Sequence, residues 1–189
     1  MNNKQTGYNW LNKNGFKKRD EYYTPKILVE PILKYINKGD VIWCPFDTEN
    51  SEFVHILKEN GNKVIYSHIN NGQDFFEYEP KEHYDIIISN PPFTKKLEVF
   101  NRLFDLCKPF AMIMNLTVLN YQIIGNYFID KNIQLLIVDK KVSFNGNTSS
   151  FNSSYFCYNL LPKDLIFTNI AHNNSKKNYT PSRMYQDFE

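Results

Sequence analysis

The clearest potential for chemistry in this chain lies in four consecutive residues, Asn90, Pro91, Pro92 and Phe93. They follow three isoleucines at 86–88, a pattern that predicts a strand buried on both faces of a parallel sheet. Each proline lacks an N–H donor and fixes φ at about −65°, and Asn90 is extended because a proline follows it. The sequence therefore predicts a stiff turn at the carboxyl end of a strand, where open α/β sheets bind ligands. The turn offers an amide side chain, backbone carbonyls that no helix uses, and an aromatic ring.

This turn resembles motif IV, (Asp/Asn/Ser)-Pro-Pro-(Tyr/Phe/Trp), of the class I S-adenosylmethionine-dependent amino-methyltransferases, especially the adenine-N6 enzymes. The resemblance implies that Asn90, Pro91, Pro92 and Phe93 form the catalytic turn. The Asn90 side chain and the backbone carbonyl after it would accept hydrogen bonds from the target amine, and Phe93 would stack on the base. Two acceptors at tetrahedral positions favour a pyramidal amine whose lone pair points at the methyl group, so no strong base is required. The alternative is a plain Asn-Pro-Pro loop after a strand.

The resemblance continues in residues that would bind the cofactor, S-adenosylmethionine. The segment Tyr22-Tyr23-Thr24-Pro25 is similar to the Tyr-x-Thr-Pro pattern, motif X, which lies against the cofactor in this family. By its own chemistry, the segment predicts the start of a helix with Thr24 as N-cap and Pro25 as the first helical residue. Apolar residues at helical spacing follow, and Gly39 is predicted to end the helix.

The turn after the first predicted strand departs from the family pattern Asp-Pro-Phe-x-Gly-x-Gly. Pro45 and Phe46 match it, whereas Cys44 stands at the usual acid, and Thr48 and Asn50 stand at the two glycines. Glycines at those positions let backbone N–H groups approach the methionine end of the cofactor. We therefore expect weaker cofactor binding than in enzymes with the glycine turn.

Nearby polar residues could take over part of the cofactor contact that the resemblance implies. Asp47 and Glu49 could supply a carboxylate for the ammonium group of the cofactor. His68 follows a predicted strand at 63–67, where the family usually places an acid that holds the ribose hydroxyls. His68 is either a partner of such a hydroxyl or an ordinary exposed histidine.

Asp74 and Phe75 resemble motif III of the same family. There the acid accepts a hydrogen bond from the adenine amine of the cofactor, and the aromatic neighbour packs on the adenine ring. The spacing from Asp74 to Asn90 is the one that the family shows. The alternative is that Asp74 is the N-cap of a short helix.

Predicted strands and helices alternate along the chain. Strands are predicted at 41–46, 63–67, 86–88, 109–116, 133–138 and 153–161. Helices are predicted at 24–39, from residue 47 or 48 to Gly61, at 97–107 and at 118–130. This order predicts an α/β fold, a Rossmann-like doubly wound sheet of about seven strands that is mostly parallel with an antiparallel last strand.

Length and composition indicate one globular domain. A chain of 189 residues with 42% hydrophobic residues can bury a full core. The net charge of +2 argues against a strongly basic, non-specific nucleic-acid binder and leaves room for a local basic patch. Three cysteines without metal or disulfide spacing, and no membrane-length apolar run, lead us to expect a cytoplasmic protein without metal. We expect an N-terminal arm at 1–21, a methyltransferase-like domain at 22–170 and a polar tail at 171–189.

Two polar segments each have two interpretations. The basic run at 17–19 is either a solvated arm or a contact to phosphates. The polar loop at 142–150, with an exposed phenylalanine expected at each end, is either a flexible connection or a lid that faces the substrate.

Three functions compete on the sequence alone. The chain looks most like a small phage-type adenine-N6 methyltransferase of nucleic acid, DNA favoured over RNA, whose target base leaves the duplex. The second is a methyltransferase of another planar amine, guanine N2 or a protein glutamine, because those families share the turn. The third is a relative that keeps the fold and has lost the cofactor. Few residues remain for target recognition, so a separate specificity subunit or an oligomer is a plausible partner.

Overall fold

The computed structural model describes residues 24–144 and 150–170, which build a seven-stranded mixed sheet with helices on both faces. The strands in chain order are β1 (Val41–Cys44), β2 (Lys63–Tyr66), β3 (Ile86–Ser89), β4 (Phe110–Asn115), β5 (Gln134–Val138), β6 (Val142–Ser143), β7 (Ser150–Phe151), β8 (Ser153–Tyr158) and β9 (Leu165–Thr168). The α-helices are α1 (Lys26–Val29), α2 (Glu52–Glu59), α3 (Lys96–Asp105) and α4 (Gln122–Phe128). The 3-10 helices span Glu30–Tyr35, Ile69–Asn71 and Leu116–Asn120.

The strand order across the sheet is β2-β1-β3-β4-β8-β5-β9, and β6 pairs with β7 in a separate ribbon. Strands β1 to β4 run parallel, β8 runs antiparallel to both β4 and β5, and β9 runs parallel to β5. The predicted doubly wound, mostly parallel sheet of seven strands is thereby confirmed. The antiparallel strand is β8, which lies inside the sheet. The last strand, β9, is a parallel edge strand that the sequence pattern does not predict.

Each face of the sheet carries its own hydrophobic cluster. Ala111 and Ile113 of β4 pack with α1 and α2 on one face, whereas Met112 and Met114 pack with α3 and α4 on the other. Successive strand residues point to opposite faces, so burial on both sides explains the continuous apolar run of β4. Because β1 to β4 run parallel, their carboxyl ends lie together at one end of the sheet, here called the carboxyl edge.

The first predicted helix is shorter than its apolar spacing indicates. α1 begins after Pro25, which occupies the N-cap position without any side-chain cap, so the prediction that Thr24 caps the helix is wrong. Pro31 has no N–H for the α-helical pattern, and the chain continues as the 3-10 helix Glu30–Tyr35. The helical segment consequently ends before Gly39.

Helix α2 begins later than predicted. Ser51 is at its N-cap position, and Thr48 N–H donates to Ser51 Oγ over 3.0 Å, so neither Thr48 nor Asp47 caps the helix. Gly61 has a φ of +96° and follows the helix end, as predicted.

The predicted helix at 118–130 is divided in two. Tyr121 is extended (φ −83°, ψ 118°) and separates the 3-10 helix Leu116–Asn120 from α4. Helix α3 directly follows the turn at 90–93, as predicted.

Several predicted segments lie outside the described residues: the arm at 1–21, Tyr22 and Tyr23, the centre of the loop at 145–149, and the tail at 171–189. The described end of that loop corrects one expectation, because Phe144 is buried rather than exposed. In the part of the chain that the structure describes, none of the helices has the length and apolar character required to cross a membrane.

Tyr155 of β8 connects the sheet to α1 through a hydrogen bond. Its hydroxyl donates to the carbonyl oxygen of Leu28 over 2.7 Å, and both residues are fully buried. Burial raises the pKa of Tyr155 well above its ordinary value, so the hydroxyl keeps its proton throughout the usual pH range.

Tyr155→Phe should lower the free energy of unfolding by about 1–3 kcal/mol, because the buried carbonyl of Leu28 loses a donor. Urea denaturation measures the loss. Tyr158→Phe, on the same strand and only half-buried, is the matched control and should change the free energy of unfolding by less than about 0.5 kcal/mol. Equal losses in the two variants would contradict the anchoring role of Tyr155.

Candidate active site

Hydrogen bonds join the ends of β1 and β2 at the carboxyl edge. Ser67 N–H donates to the carbonyl oxygen of Cys44 over 3.1 Å, and Asp47 N–H donates to the carbonyl oxygen of Ser67 over 3.2 Å. The indole N–H of Trp43 donates to Ser67 Oγ over 3.0 Å. Ser67 therefore holds the turn after β1 against the end of β2.

A buried carboxylate joins the same turn to β3. Ser89 Oγ donates to Asp47 Oδ2, and both residues are buried. Burial raises the pKa of Asp47 to about 6, while hydrogen bonds from the hydroxyls of Ser89 and Ser51 act in the opposite direction. Asp47 therefore lies inside the protein, bonded to the residue that precedes Asn90. Among the two carboxylates expected to meet the cofactor's ammonium group, Glu49 is the exposed one.

The turn of Asn90, Pro91, Pro92 and Phe93 lies where it is predicted, between β3 and α3 at the carboxyl edge. Pro91 is buried, and the other three residues are half-buried. Asn90 Oδ1 is shielded from solvent, and a hydrogen bond in such a low-dielectric place is stronger than one in water. The structure thus brings the predicted catalytic turn next to the turn after β1.

Two residues that the resemblance assigns to the cofactor have buried side chains. The ring of Phe75 is 1% exposed and packs against the rings of Phe46, at 4.8 Å between centroids, and Trp43, at 5.6 Å. Cys44 is fully buried, and burial raises the pKa of its thiol well above the usual value. Their side chains belong to the core, whereas Phe46 is half-buried. Pro45 is buried as well.

Asp74 caps a turn at 75–77, where its alternative interpretation predicts a short helix. Its Oδ1 accepts the N–H of Phe76 over 3.1 Å, and its carbonyl oxygen accepts the N–H groups of Glu77 and Tyr78 over 3.0 and 2.7 Å. These bonds use one carboxylate oxygen. The cap therefore fixes the direction of Asp74 and leaves Oδ2 as the oxygen for a ligand.

His68 also caps a short element. Its Nδ1 accepts the N–H of Asn70 over 3.2 Å at the start of the 3-10 helix Ile69–Asn71, which ends at Gly72 with a φ of +74°. His68 follows β2 at the carboxyl edge, next to the turn after β1. Thr24 and Pro25 lie at the start of α1, which Tyr155 anchors through Leu28, and Tyr23 is outside the described residues.

Ser67 and Ser89 are the structural residues of this site that the sequence analysis does not identify. Ser67 directly follows β2 and Ser89 ends β3, both at the carboxyl edge, and each serine is completely buried. A small polar residue at the end of an apolar strand is the signal that could have found them. Buried hydroxyls need a partner, and here the partners come from neighbouring turns.

Asp47→Asn should flatten the pH dependence of stability. A carboxyl whose folded pKa is raised stabilises the fold below its unfolded pKa of 3.8, and this contribution is lost as pH rises toward about 6. Wild-type stability should therefore fall by about 2–3 kcal/mol between roughly pH 4 and pH 6. In Asp47→Asn, the amide oxygen still accepts from Ser89 and cannot titrate.

Urea denaturation from pH 4 to pH 8 measures this difference. Glu49→Gln is the matched control, since Glu49 is exposed in the same turn, and its curve should follow the wild type. A fall of wild-type size in Asp47→Asn would show that Asp47 does not titrate in this window.

The chain is similar to solved methyltransferase structures. With a TM-score of 0.53 at 12% identity, it matches the methyltransferase subunit of a type I restriction-modification system from Streptococcus thermophilus, over 79% of this chain and 47% of that chain. It also matches a predicted O-methyltransferase from Agrobacterium tumefaciens (TM-score 0.43, 7% identity, 77% of this chain and 85% of that chain). A release-factor-specific protein-(glutamine-N5) methyltransferase from Alicyclobacillus acidocaldarius gives a TM-score of 0.38 at 11% identity, over 70% of this chain and 90% of that chain.

The chain spans about half the length of the Streptococcus subunit. No protein-family model matches it, and no curated protein matches it. The likeness to the Streptococcus subunit establishes the fold: the described residues have the α/β fold of a methyltransferase.

Proposed function

We propose that this protein is an S-adenosylmethionine-dependent methyltransferase that acts on the N6 amino group of adenine in nucleic acid, with DNA favoured over RNA. The observation that carries the proposal is the Asn-Pro-Pro-Phe turn at the carboxyl end of β3, beside the turn after β1, in a methyltransferase fold. Ligands of open α/β sheets bind at this edge.

The turn has groups suited to an exocyclic amine. The lone pair of such an amine is delocalised into the ring, which makes it a poor nucleophile. Asn90 Oδ1 and the carbonyl oxygen of Pro91 are acceptors that stabilise the pyramidal amine and the positive charge that develops on it. Phe93 offers a ring on which the base stacks, and the proton leaves the amine for solvent after the transfer.

Residues beside this turn fit the cofactor, although they hold it less tightly than a glycine turn would. Asp74 Oδ2 and Glu49 provide carboxylate oxygens for its amino groups, and Phe46 provides a half-buried aromatic surface. S-adenosylmethionine, when bound, supplies a methyl group on a sulfonium centre. The N–H groups of Asp47 and Thr48 already donate to Ser67 and Ser51, so this turn offers the ligand fewer backbone donors.

Basic and aromatic residues near the turn support a nucleic-acid substrate. Lys95 is two residues beyond Phe93, and its Nζ lies 4.7 Å from the ring centroid of Phe76. The Nζ of Lys96 lies 5.1 Å from the ring centroid of the exposed Tyr121. Lysines paired with aromatic rings suit phosphates and unstacked bases. A separate specificity subunit or a second copy of the chain is the partner that we propose for target recognition.

A protein that keeps the fold without the cofactor is the second candidate. The observation in its favour is the engagement of the N–H groups of Asp47 and Thr48 within the protein. Calorimetry with S-adenosylhomocysteine separates the two, because the second candidate requires no binding. Methylation of DNA, RNA and protein with labelled cofactor, followed by analysis of nucleosides and amino acids, then separates adenine N6 from guanine N2 and glutamine.

Asp74→Ala should weaken S-adenosylhomocysteine binding by about 1–3 kcal/mol, the cost of losing one hydrogen bond to a buried polar group. Isothermal calorimetry measures the affinity, and circular dichroism checks the fold. Glu77→Ala, in the same turn but exposed, is the control and should bind as the wild type does. An unchanged affinity in folded Asp74→Ala would place the adenine of the cofactor elsewhere.

Asn90→Ala should lower the rate of methyl transfer by about 10²–10³-fold, because the lost acceptor acts on a charge that develops in the transition state. It should leave cofactor affinity nearly unchanged. Phe93→Ala should weaken substrate binding by about 1–3 kcal/mol through lost stacking, and Phe93→Trp should be tolerated.

Single-turnover kinetics on an oligonucleotide with one accessible adenine measure both effects. A wild-type rate in Asn90→Ala would favour the plain structural loop for residues 90–93.

A further inference from the structure

A cavity opens at the carboxyl edge, two strands away from the turn at 90–93. It has a volume of about 220 Å³ and lies where β4 and β5 end and β8 begins. Its lining includes Leu116, Lys140, Lys141, Asn152, Ser153 and Ser154. Pockets for drug-sized ligands have about 300–1,000 Å³, so this one fits a smaller polar group.

Two buried hydroxyls in the lining lack partners within the described protein. Ser153 and Ser154 are each 1% exposed, and their Oγ atoms make no hydrogen bond to any described residue. An unsatisfied buried hydroxyl costs about 1–3 kcal/mol. A ligand that enters the cavity would supply a missing partner and remove part of this cost.

The charges at the rim favour an anion. Lys140 Nζ donates to the carbonyl oxygen of Ile170 over 3.0 Å, which holds its ammonium group beside the cavity. Asp139 also lines the cavity, where its Oδ1 accepts the N–H of Ile170 over 3.0 Å, so two lysines and one carboxylate leave the lining with a net positive charge. The ion pairs found among the described residues include neither Lys140 nor Lys141.

The strand register fixes the distance to the catalytic turn. Ser89 of β3 is opposite Met112, and Asn115 of β4 is opposite Ser153 of β8. Two strand spacings across the sheet and two residues along it separate Asn90 from Ser153, or about 12 Å. A few nucleotides of a bound strand cover this distance, since each adds about 3.4 Å along a duplex.

We propose, on the basis of the nucleic-acid function proposed above, that this cavity binds a backbone phosphate of the substrate strand. The hydroxyl of Ser153 donates to a phosphate oxygen, and Lys140 and Lys141 neutralise the charge. The phosphate belongs to a nucleotide a few positions from the adenine at Asn90. The contact positions the strand and reads no base.

Two variants of the full-length protein test the site with a short DNA oligonucleotide. Lys141→Ala should weaken binding several-fold and reduce the slope of log K against log salt by about 0.7–0.9, the value for one phosphate contact. Ser153→Ala should weaken binding about two- to tenfold without changing the slope, because it removes a hydrogen bond and no charge. Ser153→Ala should not lower the stability of the free protein, since its hydroxyl has no partner there.

Lys163→Ala is the matched control, an exposed lysine that precedes β9 at the opposite edge of the sheet. It should leave both affinity and slope unchanged. If the wild type methylates the oligonucleotide and Lys141→Ala and Ser153→Ala bind it as Lys163→Ala does, the phosphate site is wrong and the proposed function stands. If the wild type neither binds nor methylates DNA or RNA oligonucleotides, the phosphate site falls together with the nucleic-acid substrate.

Discussion

The buried hydrogen bond between Ser89 and Asp47 joins the two turns on which the proposed chemistry depends. Asp47 belongs to the turn after β1, and Ser89 is the last residue of β3, immediately before Asn90. A buried carboxylate is tolerated only with partners, so neither turn can move away from the other at low cost. Ser67 adds the end of β2 through bonds to Cys44 and Asp47. Side-chain and backbone hydrogen bonds therefore connect the turn after β1 with the turn at 90–93.

The central strands follow directly from the sequence because they are buried on both faces. Residues 86–88 and 109–116 are almost continuously apolar. Such a run indicates a strand buried on both faces, and it can be recognised without knowing which elements cover the strand. The edge strand β9 alternates between exposed and half-buried residues over four positions, a signal too short for prediction. The extent of α1 is set by Pro31, one residue that outweighs the apolar spacing around it.

The part of the site that could be predicted from the sequence is the part that the covalent structure of proline fixes. Two prolines force the turn at 90–93, and the turn lies at the end of β3 as predicted. The burial of the Cys44 and Phe75 side chains could not be predicted in this way, since a sequence pattern gives their position along the chain and not their exposure. Phe75 is buried by tertiary contacts with Trp43 and Phe46, and Cys44 is buried in the hydrophobic cluster of the opposite face. No local rule contains either set of contacts. The bond from Ser89 to Asp47 spans 42 positions and is equally invisible to local patterns.

The place of β8 in the sheet has a consequence for protein synthesis. β8 lies between β4 and β5, although both partners precede it in the chain. During translation, the strand edges of β4 and β5 that pair with β8 have no partner until residues 153–158 leave the ribosome. Unpaired strand edges can associate with other chains. The nascent chain therefore depends on residues 153–158 to close the sheet. A ribosome that stalls before residue 153 would release a fragment with an open, apolar sheet at its centre.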